Sequence, residues 1–271
     1  MRPDNWGWCA RFGILVIDKD PVAEAELWAM APPGVTLHAA RFESPRPPGS
    51  DSYGTDPART VAESPDVARG LGFLGQMRLD AICLCFTTSS FFGGYGFDDG
   101  FIREASAKAH GTPVTTSALA TVNAMRATGM RNPYLVMTPW FKDAIVEAAE
   151  KYVNAAGFGI AGVHRFDLGV GWRDMQPWEI WDHGGQWVVQ PEEVYRQVRR
   201  TLPAGADGVV VAGNGFRAVD TIEPLERDLG VPVVTSNQAC LWHCLRIAGT
   251  MTTTSGYGRL LSTTLPVSFT P

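Results

Sequence analysis

Two stretches of this chain repeat one another. Residues 111–129, GTPVTTSALATVNAMRATG, return as residues 230–249, GVPVVTSNQACLWHCLRIAG, with one inserted residue. Both copies read G-x-P-V-x-T-S, and both run into a helical pattern that closes on Arg and Gly, Arg126/Gly129 and Arg246/Gly249. Upstream, the strands opened by Leu79-Asp80 and Ala206-Asp207 occupy corresponding places, as do Gly13 to Asp18 and Tyr134 to Pro139. A duplicated strand-and-helix unit folds into two similar halves. Short runs rich in Val, Ile and Leu alternate with helical patterns, the mark of βα units around parallel sheets. The expected strands are Arg11 to Ile17, Gly34 to Phe42, Asp80 to Cys85, Pro113 to Thr115, Tyr134 to Met137, Ile160 to Arg165, Gly208 to Val211 and Pro232 to Val234. The fold class expected is α/β, with two pseudo-symmetric Rossmann-like lobes: a first of residues 1–117 and 236–271, a second of residues 118–235.

Two facing halves of this kind make a cleft, because ligands bind outside the carboxyl ends of parallel strands. Four strand tips would line it: Asp18-Lys19-Asp20, Phe86 to Ser90, Thr138-Pro139-Trp140 and Gly213 to Phe216. At the second tip, Thr87, Thr88, Ser89 and Ser90 supply hydroxyls suited to a carboxylate or a developing oxyanion; a turn that satisfies its own backbone is the plainer alternative. At the fourth, Gly213, Asn214 and Gly215 allow close backbone approach, and the Asn214 amide can donate to an anion; a simple tight turn is the alternative. The G-x-G there lacks the third glycine of a dinucleotide fingerprint, since position 218 is Ala, so no nicotinamide or flavin is expected. At the first tip, Asp18 and Asp20 flank Lys19 just before a helix near Pro21. An aspartate in that place is a natural helix cap, or a general base if burial lifts its pKa toward neutrality.

Other classes are disfavoured by composition. A formal charge of −5 with no Lys/Arg stripe offers no field for a nucleic acid. No apolar run reaches the length of a membrane span, and Met1 to Ala10 lacks a signal-peptide pattern, so a cytoplasmic protein is expected. The five cysteines, Cys9, Cys83, Cys85, Cys240 and Cys244, show no zinc spacing, and Cys83 and Cys85 read as buried small hydrophobes sharing one face of a strand. The five histidines stand singly, so no metal is expected. Residues 43–57, rich in Pro, Gly and Ser, read as a long surface loop and candidate lid. Residues 169–185 read as a second irregular stretch, whose Trp172, Trp178 and Trp181 need something to cover.

At this point the residues resemble a known family. Gly7-Trp8 with Arg11 and Gly13, the Thr-rich tip followed by Phe91 and Gly93-Gly94, Thr138-Pro139, and the ending Pro232 to Ala239 with Trp242 and Leu245-Arg246 are similar to the maleate isomerase and arylmalonate decarboxylase branch of the aspartate/glutamate racemase superfamily. The resemblance runs almost end to end. It implies two α/β lobes, no cofactor, no metal, and a small carboxylate-bearing substrate held by tip hydroxyls and amides; monomer and small homo-oligomer are both compatible with it. It also implies one cysteine at each of two opposed tips, but those positions fall here on Phe86 and Gly213. Cys85 is one residue early, which on a strand turns the side chain to the other face. The family's tip tyrosine falls on Trp140 and its first-tip asparagine on Asp20.

These departures exclude two-base thiol racemisation and thiol addition to a double bond. What remains is an anion cradle walled by Phe86, Trp140 and Phe216, expected to favour larger or more apolar substrates. The expected activity is that of a cofactor-independent lyase, decarboxylase-like and without cysteine catalysis. Asp20, Thr87 and Thr88 are its candidate catalytic residues. Asp18, Lys19, Phe86, Ser89, Trp140, Gly213, Asn214 and Gly215 are its candidate binding residues. Two alternatives stay open: a hydrolase or hydratase with an Asp-activated water, and a non-catalytic carboxylate-binding protein.

Overall fold

The computed structural model describes residues 4–262. Its strands are β1 (Ala10–Ile17), β2 (Val35–Phe42), β3 (Ala81–Cys85), β4 (Val114–Thr116), β5 (Tyr134–Met137), β6 (Gly162–Arg165), β7 (Val209–Ala212) and β8 (Val233–Thr235). They form two four-stranded sheets, ordered β2-β1-β3-β4 and β6-β5-β7-β8, with every pairing parallel. The second order is the first shifted by four, so the sequence repeat is a structural one. The central strands β3, β5 and β7 are buried at every position, as strands covered on both faces must be, and each reads as a continuous apolar run.

Equivalent residues do equivalent work in the two halves. Asp80 and Asp207 each precede the strand beside the first of their sheet. Asp80 Oδ2 accepts from the Arg11 backbone N–H at 2.8 Å, and Asp207 Oδ2 from that of Arg131 at 2.7 Å. Thr116 and Thr235, the threonines of the repeated T-S, cap the helices that follow by accepting from Leu119 N and Gln238 N, both at 3.2 Å. Those two helices, Ser117–Ala127 and Ser236–Ile247, pack against each other where the sheets meet, and the second is buried over nearly its whole length. The repeated segment therefore builds the junction between the halves.

Register places the tips. Val16 lies opposite Cys85, and Met137 opposite Ala212. The chain following β1 thus emerges beside that following β3, and the chain following β5 beside that following β7. Residues 43–56 form neither helix nor strand, as expected of a long loop. Residues 169–185 are less irregular than expected. A short 3-10 turn, Val170–Trp172, is followed by the helices Pro177–Asp182 and Gly185–Val188. The first of these helices starts on Pro177, with Glu179 Oε2 accepting from Gln176 N at 2.7 Å, a local start signal outweighed in the sequence by the surrounding glycines. Among the described residues no helix is long and apolar enough to cross a membrane.

Candidate active site

A cavity of about 40 Å³ lies between the strand tips of the two sheets. All four tips contribute: Asp20 from the first, Phe86, Thr87 and Thr88 from the second, Trp140 from the third, and Gly213, Asn214 and Gly215 from the fourth. Asp18 and Lys19 do not. Both are exposed beyond the end of β1, and Asp18 Oδ1 is occupied by the Lys19 backbone N–H. Their expected binding role is corrected by the turn itself, which points only the third residue of the tip inward.

Asp20 is 2% exposed. Its Oδ1 accepts from Val22 N at 2.7 Å and Ala23 N at 3.2 Å, so it anchors the start of the helix Ala23–Met30 and also lines the cavity. Of the two readings open in the sequence, helix cap and general base, the first matches these hydrogen bonds, and for the second the structure offers a buried carboxyl that lines the cavity. Burial pushes its pKa up to about 6, against the pull of the Val22 and Ala23 amides and of Arg41.

The second tip divides its four hydroxyls. Ser89 Oγ donates to Phe86 O at 3.0 Å and Ser90 Oγ to Asp98 Oδ1 at 2.7 Å. Asp98 also accepts from Thr116 Oγ1 at 2.6 Å and from the Tyr152 hydroxyl, and this buried carboxylate fixes the helix Thr87–Gly93 from below. The expected substrate role of Ser89 is thereby corrected: its hydroxyl is spent on the turn. Thr87 and Thr88 have no side-chain hydrogen-bond partner among the described residues, and both face the cavity.

Asn214 lines the cavity, but its amide is engaged by the protein. Its Nδ2 donates to Asn237 Oδ1 at 2.8 Å and approaches Cys240 Sγ at 3.7 Å, so the amide is not free to donate to an anion. Its Oδ1 is the buried atom left without a partner. Asn237 in turn donates to Asn214 O at 2.9 Å and to Glu26 Oε2 at 2.8 Å, while Glu26 Oε1 accepts from Ala218 N and Val219 N at 2.6 and 3.0 Å. This network ties the fourth tip to the first half of the molecule.

Burial pushes Glu26 up to about 7 despite those three donors. A carboxyl with a raised folded pKa binds its proton more tightly folded than unfolded, so its contribution to stability falls as pH rises from about 4.5 to about 7. Replacing Glu26 by Gln removes this titration but sets two amide donors, the new one and that of Asn237, against each other. We expect denaturant midpoints of Glu26→Gln to lose most of the wild-type slope between pH 5 and 7, with an offset of about 1 to 3 kcal/mol from the mispaired amide. An unchanged slope would show that Glu26 does not titrate in this range.

Gly213 is fixed by close approach. Its φ is 111°, and a Cβ there would lie 2.5 Å from Thr138 Cγ2. A cysteine at this tip, as the resemblance implies for the family, does not fit unless Thr138 moves. Cys85 and Phe86 turn to different sides, as strand alternation requires. Phe86 packs edge-on to Phe42 with ring centroids 5.8 Å apart, whereas Cys85 sulfur meets those of Cys83 and Cys240. Both residues nevertheless border the cavity.

Aromatic side chains close the space rather than widen it. Trp140 stacks edge-on against Trp181 and Phe216, at 5.4 and 6.2 Å, and Trp178 and Phe141 complete that wall. The enclosed space, about 40 Å³, holds only a few water molecules, and its wall carries the Phe86 and Trp140 rings expected there. Phe216 backs Trp140 without lining the cavity itself.

Three cavity residues from the 43–57 loop, Ser44, Arg46 and Tyr53, were not anticipated. Arg46 Nη2 donates to Asp182 Oδ1 at 2.6 Å and Nη1 to Ser50 O at 2.6 Å, and Gly49 N donates to Asp182 Oδ2 at 2.9 Å. The loop is thus latched across the cleft to the helix Pro177–Asp182. A local sequence reading carries no signal for this pair, since both partners lie in stretches read as irregular.

Known proteins match this architecture. Arylmalonate decarboxylase of Bordetella bronchiseptica is 27% identical over 245 residues, covering 79% of this chain and 93% of that protein. The maleate isomerase Iso from Pseudomonas putida S16 superposes with a TM-score of 0.78 at 19% identity, over 94% of this chain and 99% of its own. A Nocardia farcinica maleate cis-trans isomerase mutant with a covalently bound succinylcysteine intermediate superposes with a TM-score of 0.70 at 22% identity, over 93% and 98%. These relatives are enzymes, and they share the paired parallel sheets described above. The family model for arylmalonate decarboxylase matches residues 62–261, from the end of the helix Pro57–Ala62 to the last described helix and across three of the four tips; the chain belongs to the arylmalonate decarboxylase family.

Proposed function

We infer that this enzyme is a cofactor-independent decarboxylase of a malonate-type acid, working without a cysteine. The observation that carries the reading is the pair of threonine hydroxyls, Thr87 and Thr88, left without partners among the described residues on the wall of a buried cavity that Asp20 also lines. One substrate carboxylate accepts from the two hydroxyls. The other lies against the aromatic wall of Trp140 and Phe86, where loss of charge is favoured. The bond from the α-carbon to that carboxylate breaks, carbon dioxide leaves, and the electron pair passes into the enediolate stabilised by Thr87 and Thr88. Protonated Asp20 then delivers its proton to the α-carbon and is reprotonated from water. Admission of even a small diacid to so small a cavity requires the 43–57 loop to lift from Asp182.

The succinylcysteine of the Nocardia isomerase forms on a thiol. In this chain the two tip positions are Phe86 and Gly213, and the one thiol bordering the cavity, Cys85, turns its sulfur toward Cys83 and Cys240. Cys85→Ser is therefore expected to keep turnover within a few-fold. A loss of about a thousand-fold would place a thiol in the chemistry.

The decisive experiment incubates the purified protein with aryl- and alkyl-malonates in D2O. Decarboxylation releases carbon dioxide and yields acid carrying one deuterium at the α-carbon. A second reading, hydrolysis or hydration, is favoured by a buried carboxyl facing a cavity of water-sized volume. It would appear as incorporation of solvent 18O without carbon dioxide. Thermal stabilisation by malonates with neither product would leave a binding protein.

A further inference from the structure

Three sulfur atoms that the sequence keeps far apart meet behind the cavity wall. Cys83 and Cys85 alternate along β3 and so project from the same face. Cys240, from the second turn of the helix Ser236–Ile247, faces them across the junction of the two halves. The three Sγ atoms lie within 4.8 Å of one another, and the residues are 0%, 1% and 1% exposed. No carboxylate or imidazole belongs to the group. Two polar side chains border Cys240: Asn214 Nδ2, at 3.7 Å from its sulfur, and Ser117, whose buried Oγ has no other partner among the described residues. Nothing in the decarboxylation chemistry uses these groups.

The geometry points to a trigonal thiolate site for a soft monovalent cation, copper(I), formed by Cys83, Cys85 and Cys240. Three sulfurs around one ion at metal–sulfur distances of about 2.3 Å stand about 4 Å apart, so the observed group closes on an ion with shifts of less than about 1 Å. An all-sulfur set selects soft ions and rejects magnesium, calcium and manganese. Closed zinc sites take four protein ligands in tetrahedral array; this group offers three, with Cys244 beside Cys83 but outside the mutual 4.8 Å. Each sulfur that ligates releases its thiol proton, and Asn214 Nδ2 and the Ser117 hydroxyl are placed to donate to the Cys240 thiolate. Cys85 also borders the cavity, so the group lies directly behind the cavity wall.

The test is an anaerobic titration of the reduced full chain, in a Cys9→Ser background, with copper(I) held by the colorimetric chelator bathocuproine disulfonate. Cys9 lies elsewhere, against Thr250 and Thr252, and its removal clears the half-buried thiol. One equivalent of copper should leave the chelator, X-ray absorption should find three sulfurs near the metal, and Cys240→Ala and Cys83→Ala should each weaken binding at least a hundred-fold while keeping the wild-type circular dichroism. Copper retained by the chelator overturns the site. So does binding that survives both alanine variants, or a preference for zinc that depends on Cys244. Should the alanine variants misfold, the sulfur count from X-ray absorption on the parent decides alone: fewer than three sulfurs overturns the assignment.

Discussion

Asp20→Asn is expected to lower turnover at least a hundred-fold while ligand binding is retained or improved. The substitution keeps an oxygen in the place of Asp20 Oδ1, so the Val22 and Ala23 amides remain satisfied and the helix Ala23–Met30 keeps its start. It deletes only the titrating proton. Two like charges about 4 Å apart at an effective dielectric near 20 repel by about 4 kcal/mol, so an ionised Asp20 and a bound carboxylate oppose each other. With a pKa of about 6, Asp20 carries a proton below that pH, where the conflict is absent. On the proposed mechanism that proton is the one the enediolate takes, and wild-type kcat/KM should accordingly fall as pH rises through about 6. The asparagine variant should lose that limb. Turnover and pH profile both unaltered would leave Asp20 as a helix anchor and nothing more.

The second large effect is expected at the threonine pair. Thr87→Val and Thr88→Val preserve shape and β-branching and break no protein hydrogen bond, because neither hydroxyl has a partner among the described residues. Any loss therefore reports on the ligand. A hydrogen bond to a charged group is worth about 1.5 to 3 kcal/mol, so each variant should lose roughly ten-fold or more in malonate affinity or in kcat/KM, and the double variant about a hundred-fold. Ser89→Ala is the matched control within the same tip: its hydroxyl serves Phe86 O, so the change should lower stability and leave affinity alone. Calorimetry that finds both valine variants binding malonate as tightly as wild type would reduce this tip to a turn.

The strands and the two-fold plan were legible in the sequence because they rest on local periodicity. A buried parallel strand must be apolar at every position, and Ala81 to Cys85 or Val209 to Ala212 announce themselves without reference to any neighbour. The repeated T-S was legible for the same reason. Thr116 and Thr235 sit at a strand-to-helix step, where a capping hydroxyl is a local need, so a copied sequence makes a copied structure. Strand tips follow from strand ends, and so the sequence alone singles out Asp20, Thr87, Thr88, Trp140 and Gly213.

Which atoms at those tips are available was decided only by tertiary structure. Ser89 and Thr88 are neighbours of like chemistry, yet the carbonyl of Phe86 claims one and leaves the other. The Asn214 amide is claimed by Asn237, a residue brought beside it by the pairing of β7 with β8. Arg46 reaches the cavity because Asp182, from the other half, holds its guanidinium. Cys240 meets Cys83 and Cys85 because the helix Ser236–Ile247 packs against β3. Each of these outcomes is a competition between a side chain and partners far away in sequence. Periodicity determines where a chain turns inward, but hydrogen-bond partners and packing across the junction decide what it presents there.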